Sequence, residues 1–496
     1  VSAASPTTPS LAEFEKRDKV LRALQDKKGR ATLGDLIVAT GLPKGESESA
    51  LRGLLKDYES HLAVDDKGDI LYLFEPSFLK RGERDLWARR MRALSQTLWK
   101  AFVLFFKVAI MLTLVVYFLL FVALIIAAFV AMNSNNNNNS SSSSRSSGGG
   151  FHWIFWFWGD SGSRHDYRAG RTSARQEEAQ SKPFYQKVFD FVFGPNETPA
   201  DPLQEERALL SWIRTQKGRI TAADLATRTG ATLQEAEDHA TRLLVDYGGD
   251  VEVTDNGTLL YTFKELLVRG GRGGEVAPAP AIWARFLPPQ SLTGNTGGTN
   301  ALIIFLNAFI VFGALIAPGF IFEALDFESS AAWVGLYYIP LAFGALFFGV
   351  PVARIFGNYQ ENKRRVIANL RRASLKALFE SAQKQPLWID PTATQSQIET
   401  YYVSGLKSLK LDPAGADLRA YSGVSAVDQV RAHEAGVEWL LRAYAGEPTN
   451  AESGRVVYSF DRVSREVTEA QAARKAARAE EESMGKLVFR SDGDLQ

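Results

Sequence analysis

Apolar residues follow two regimes along this chain. Three runs are almost continuous: Ala101 to Met132, Ala301 to Phe322 and Ala331 to Ala353. Each matches or exceeds the roughly 20 residues that cross a bilayer as a helix. Outside them, apolar residues recur at helical spacing in shorter stretches that give way to brief extended segments. In the first such stretch, Val20, Leu21 and Leu24 share a helical face. Thr32 then stands as an N-cap before Asp35-Leu36, and Gly41 occupies the C′ position where a left-handed residue is tolerated. A helix from Pro43 to Tyr58 gathers Leu51, Leu54 and Leu55 on one side. Two short strands follow, near Leu62 to Val64 and Ile70 to Phe74, joined by Asp66-Lys67-Gly68.

The same pattern returns at a fixed offset. Gly29-Arg30, Thr32, Asp35-Leu36, Thr40-Gly41, Leu54-Leu55, Asp57-Tyr58 and Leu71-Tyr72 correspond to Gly218-Arg219, Thr221, Asp224-Leu225, Thr229-Gly230, Leu243-Leu244, Asp246-Tyr247 and Leu260-Tyr261. The second hairpin turns on Asp255-Asn256-Gly257, where Asn-Gly supplies positive φ. A diverged third copy is read from Asp417-Leu418 and Gly423, then Leu440-Leu441, Tyr444, Gly446, Gly454, Tyr458 and Phe460. Such self-similarity divides the chain into modules. Helix, helix, helix and hairpin is the order of a winged helix, which each copy resembles. The expected fold class is therefore α+β winged-helix modules, two clear and one diverged, combined with α-helical transmembrane segments.

The expected organisation begins with an unstructured arm over 1–16 and module 1 over 17–79. A basic juxtamembrane segment and first membrane segment occupy 80–132, and an Asn/Ser/Gly loop with an aromatic patch occupies 133–181. An amphipathic interfacial helix (182–200) leads to module 2 (201–268) and a Gly/Pro linker (269–299). A transmembrane hairpin (300–353), a basic helix (354–385), module 3 (386–465) and a charged C-terminal helix and tail (466–496) complete the chain.

At the membrane, Lys107 is expected to snorkel to the interface, and Trp153, Trp156, Trp158, Phe184 and Phe191 to lie at headgroup level. Basic residues before the first run and after the last place both ends in the cytoplasm, or the matching compartment of an organelle. Module 2 also has basic flanks, although a single crossing at 101–132 would put it outside. All three modules are expected on one side, with the first run or the aromatic patch re-entrant.

DNA-binding winged helices set a basic third helix into the major groove. Here the first carries Lys44, Arg52 and Lys56 against Glu46, Glu48 and Asp57, and the second Arg242 against Glu235, Glu237, Asp238 and Asp246. Such neutral-to-acidic surfaces disfavour nucleic acid, so Glu46, Arg52, Lys56, Glu235, Glu237 and Arg242 are expected to meet protein partners or a second copy. A chain of 496 residues with net charge +1 gives no reason to expect a bulk polyanion partner. The absence of Cys excludes disulfides, thiolate nucleophiles and cysteine-held metal centres. Its five His residues lack metal spacing. No catalytic residue, cofactor or metal is expected.

In outline the chain is similar to a group of bacterial, cyanobacterial and plastid multi-pass membrane proteins with repeated winged-helix-like modules. The likeness rests on Gly218-Arg219-Ile220-Thr221, Phe191-Val192-Phe193-Gly194-Pro195 and the Asn/Ser/Gly-plus-aromatic stretch. Some members are loosely labelled iron–sulfur assembly factors, a label to which a chain without Cys lends no support. The expected function is a membrane scaffold or adaptor that contacts lipid and assembles proteins, in a bacterial inner membrane with its modules in the cytoplasm. The alternatives are a membrane-tethered DNA-binding regulator and an accessory subunit of a transport complex, the latter with Asn307 as the feature to watch.

Overall fold

The computed structural model describes residues 11–75, 86–135, 182–195, 201–270, 276–327, 329–382, 387–409, 435–451, 454–477 and 487–491. They divide into two compact units, one formed from 1–87, 198–289 and 362–496, the other from 88–197 and 290–361.

The chain opens with α1 (Leu11–Asp26), β1 (Arg30–Thr32), α2 (Leu33–Thr40), α3 (Lys44–Asp57), β2 (Ser60–Asp65) and β3 (Ile70–Phe74). Helix α1 begins inside the arm expected over 1–16. At the start of α2 the Thr32 hydroxyl accepts from the Asp35 amide while the Asp35 carboxylate accepts from the Thr32 amide, and Gly41 ends the helix at φ 71°. This reciprocal cap satisfies two otherwise orphaned amides. A long helix, α4 (Leu86–Asn135), and a short one, α5 (Phe184–Phe193), follow.

The next stretch repeats the opening order of elements: α6 (Gln204–Thr215), β4 (Arg219–Ile220), α7 (Ala222–Thr229), α8 (Leu233–Tyr247), β5 (Asp250–Val253) and β6 (Leu259–Thr262). Thr221 and Asp224 form the same reciprocal cap, and Gly230 the same left-handed end. Two long helical runs come next, α9 (Gly297–Leu325) and α10 (Ser330–Ser381). The last elements are β7 (Trp388–Ile389), α11 (Pro391–Ser408), α12 (Val437–Ala443), β8 (Glu447–Asn450), β9 (Val456–Ser459), α13 (Asp461–Ala476) and β10 (Leu487–Arg490).

Among the described residues of the first unit, three antiparallel sheets run β1-β3-β2-β10, β4-β6-β5 and β7-β9-β8. In each, a short strand before the helices pairs with the second arm of the later hairpin. The C-terminal β10 adds a fourth strand to the first sheet by pairing with β2.

The first strand of the third sheet is β7, and the helix that follows it is α11, capped by Asp390 through the amides of Thr392 and Ala393. Asp417-Leu418 and Gly423, matched to Asp224-Leu225 and Gly230, lie outside the described residues. The hairpin half of the match is geometrically alike. A Cβ at Gly249 would lie 2.6 Å from Leu244 and 2.8 Å from Phe263, and one at Gly446 would lie 2.6 Å from Leu441 and 2.8 Å from Phe460.

Two further segments differ from expectation. The stretch from Val276 to Pro289, taken as linker, is packed: Ala279, Ile282 and Phe286 are buried, and Asn369 holds Leu287 by both backbone groups, at 2.8 and 2.9 Å. Helix α13 runs into the stretch from Thr468 to Glu482, which reads as a solvated or partner helix, and there buries Ala470, with Ala477 just beyond its end also buried.

The second unit is built from α4, α5, α9 and the first part of α10. Among the described residues, three helical runs are long and apolar enough to cross a membrane: Thr97–Asn133, Gly297–Leu325 and Ser330–Ser381. Their outward faces expose large apolar groups such as Phe105, Phe129 and Leu315, as lipid-facing helices do. Leu114, Phe121, Ile303, Ile310, Ala314 and Phe347 form the interior. Gly313 lets the Phe121 ring approach at 2.8 Å from where a Cβ would stand. Both hairpin helices widen into π turns, at Ala317–Phe322 and Val334–Tyr338, and the Tyr117 hydroxyl donates to the Gly335 carbonyl at 3.1 Å.

The apolar stripe of α5 faces this interior instead of a lipid surface. Val188, Phe191 and Val192 are buried, Phe184 packs beside them, and Phe191 stacks on Phe347 at 5.6 Å. Lys107 is likewise buried, its ammonium 4.6 Å above the Phe189 ring, so it does not snorkel outward. Trp153, Trp156 and Trp158 lie outside the described residues.

Candidate functional site

Within the first unit, the surface that joins one helix–strand module to the next carries its densest polar chemistry. Asp35, which caps α2, is the centre of the first seam. Its buried carboxylate accepts from the Arg214 guanidinium of α6 at 3.0 Å and from the Gly270 amide at 2.8 Å, with the Lys27 ammonium at 3.7 Å. The Thr32 hydroxyl donates to the Val268 carbonyl at 2.7 Å. Gly34 allows this approach, since a Cβ there would collide with the Glu265 carbonyl. At the far end of α2, the Tyr247 hydroxyl lies 3.1 Å from the Gly41 carbonyl and from the Glu206 carboxylate.

The second seam uses the equivalent groups of the next module. Asp224, which caps α7, is paired with Arg474 of α13, whose Nε also donates to the Arg219 carbonyl at 3.0 Å. Glu466 accepts from the Ala223 amide at 2.8 Å and from Arg462 at 3.0 Å. The Tyr444 hydroxyl donates to the Ala231 carbonyl at 2.5 Å, beside the left-handed Gly230, much as Tyr247 does at Gly41. Burial raises the Asp224 carboxyl above the usual range, opposed by Arg474 and the Thr221 bonds. Burial also raises Glu466 and Glu206, and the Tyr247 bond opposes it at Glu206.

The residues expected to meet partners fall into two groups. Glu237 is paired with Arg462 inside the second seam, and Glu235 closes the α8 cap with Thr232. Glu235 remains exposed, with one carboxylate oxygen engaged in the cap. Glu46 is held by Lys16 at 2.7 Å on the half-exposed side of module 1. Arg52, Lys56 and Arg242 are exposed, with Arg52 near Glu48 at 3.6 Å. The structure adds apolar exposure that helical spacing did not flag. Val245 on α8 is 81% exposed, and the cross-strand pair Val253 and Leu259 is 67% and 41% exposed, with Val251 two residues along the same strand face.

The seam residues Arg214, Arg462 and Arg474 were not read from the sequence. The recurring Thr-x-x-Asp caps were legible, but the cations that meet them come from segments far along the chain. Among the described residues, no group of three or more His, Asp or Glu side chains is placed to hold a metal ion.

No protein-family profile matches the chain, and no solved structure matches it. The chain is similar to an uncharacterized chloroplastic protein of Arabidopsis thaliana, 23% identical over 401 residues that cover 75% of this chain and 73% of the relative.

Proposed function

We propose that this protein is an integral membrane scaffold or adaptor whose winged-helix-like modules, locked in a row by the Asp35 and Asp224 seams, assemble protein partners beside the membrane. The observation that carries the reading is the exposed apolar group on module 2, Val245, Val251, Val253 and Leu259, next to the acidic third helix α8. Apolar exposure rimmed by carboxylates suits a protein surface and repels a phosphate backbone. The three membrane-length helices would hold that surface at a bilayer, and basic flanks favour the cytoplasmic side of a bacterial membrane. The chloroplastic name of the Arabidopsis relative fits an equivalent place in an organelle.

The test is affinity purification in mild detergent with and without nuclease, read by mass spectrometry, on the natural chain and on Val253→Glu with Val245→Glu. Stoichiometric protein partners that survive nuclease and are lost in the double variant would support the scaffold. Enriched DNA lost on nuclease or salt treatment would replace it with a membrane-tethered regulator.

A further inference from the structure

The sheets of modules 1 and 2 share their strand order and differ at one edge. In module 1 the hairpin strand β2 has β3 on one side and β10 on the other, whereas its counterpart β5 in module 2 pairs with β6 alone among the described residues. The offset that matches Leu71-Tyr72 to Leu260-Tyr261 also matches Leu62 to Val251 and Val64 to Val253. Both hairpins close alike: the Asp65 amide donates to the Asp69 carbonyl at 3.1 Å, and the Thr254 amide to the Thr258 carbonyl at 3.0 Å. Bonded and non-bonded residues alternate along an antiparallel pair. Leu62 and Val64, and equally Val251 and Val253, therefore turn their backbone groups away from their own hairpin.

Module 1 uses that outward edge. The Ser491 amide donates to the Leu62 carbonyl at 2.9 Å, and the Leu62 amide donates to the Ser491 hydroxyl at 2.9 Å. Strand β10 sets Phe489 opposite Val64 and Arg490 opposite Ala63.

In module 2 the same edge faces outward with all four residues of β5 exposed. Val251 and Val253 lie on one face of the strand, Asp250 and Glu252 on the other. An edge with outward amides and carbonyls is a template for another strand. A second copy of β5 fits it poorly. Any register that sets valine opposite valine also sets carboxylate opposite carboxylate, and like charges directly opposite destabilise a pair. A strand that alternates apolar residues with Lys or Arg suits both faces.

We propose that the β5 edge of module 2 docks an extended segment of a partner protein, pairing main chain to main chain at Val251 and Val253 and selecting a segment that alternates apolar and basic side chains. This rests on the scaffold reading above and specifies the kind of partner segment it takes. In such docking the backbone bonds supply affinity and the alternating side chains supply choice.

Full-length protein in neutral detergent would be titrated with a short fluorescent peptide alternating Val and Lys, with a peptide alternating Val and Glu, and with the Val and Lys peptide N-methylated at each Val. Anisotropy reads affinity, and hydrogen exchange at 250–254 reads the site. The Val and Lys peptide is expected to bind and to slow exchange of the Val251 and Val253 amides, with the other two at least about tenfold weaker. Val251→Pro removes one outward donor, spares the ladder to β6 and should weaken binding about tenfold, while Val251→Thr keeps the amide and should retain it.

No binding, equal binding of the methylated peptide, or unchanged exchange at Val251 and Val253 would overturn the proposal. If nuclease-resistant partners are still lost in the Val245→Glu, Val253→Glu variant, the scaffold stands without strand docking; if the peptide docks as expected but no protein partner is recovered, the scaffold reading alone fails. A natural chain that is dimeric by native mass spectrometry and monomeric as Val251→Pro would give the edge to a second copy instead. Slow exchange at Val251 and Val253 before any peptide is added would give it to another segment of the same chain.

Discussion

The hydroxyl of Tyr247 donates to the carbonyl of Gly41 at 3.1 Å, joining residues 206 apart in sequence. Tyr247 ends the third helix of module 2, and Gly41 ends the second helix of module 1. The bond ties the helix end of one module to the turn of another. Glu206 shares the hydroxyl, so the contact is a small network.

Tyr247→Phe keeps the ring and removes the hydroxyl. It should cost about 1–2 kcal/mol, a factor of roughly 5–30 in local opening, because both acceptors lose a buried partner. Hydrogen exchange of the 36–48 and 203–210 amides would read this, with wild-type protection there contradicting the network.

Asp35→Ala should be costlier. It leaves Arg214 and Lys27 with nine-tenths or more of their side chains buried and their shared anion removed, a loss of about 3–5 kcal/mol. A double-mutant cycle with Arg214→Gln, followed by thermal melting in detergent, should show non-additive losses. Simple additivity would mean that the pair does not hold the seam.

Acidity should act on the second seam in an unusual direction. Asp224 and Glu466 have folded-state pKa values raised by burial, so the folded chain holds those protons more readily than the unfolded chain. Their contribution to stability therefore falls as pH climbs from the ordinary carboxylate value through the raised one, and is greatest below it. Lowering the pH from about 7 to about 5 should slow exchange at 219–230 and 461–476 after correction for intrinsic rates. Faster exchange on acidification would show that charge pairing outweighs burial.

Asn307 is fully buried in α9, and both polar atoms of its amide lack a partner among the described residues. A methylene surface of similar size removes that penalty, so Asn307→Leu should stabilise the membrane helices by about 1–3 kcal/mol in a detergent melt. A loss of stability would show that the amide has a partner within the assembled protein.

Local signals were legible where the physics is local. Thr32 with Asp35 and Thr221 with Asp224 announced helix starts, Gly41 and Gly230 announced their ends, and all four helix termini behave so in the structure. The apolar runs that read as membrane segments form helices of membrane-spanning length. Harder cases were those where an amphipathic stripe has more than one home. The Phe184-to-Val192 stripe reads equally as lipid-facing or inward-packed, because periodicity records a face and not its neighbour. In the third copy the Asp417-Leu418 and Gly423 signal lies outside the described residues, whereas the pairing of β7 with β9 joins strands about 70 residues apart and no local pattern announces it.

The sequence by itself determined the helix caps, the hairpin turns, the neutral-to-acidic third helices and the membrane-length runs, since each depends on residues within a few turns of one another. Only tertiary structure decided that Arg214 and Arg474 meet the capping aspartates, and that Glu237 pairs with Arg462. Those outcomes depend on which distant surfaces are brought together, and charge pairing across hundreds of residues leaves no periodic trace in the chain.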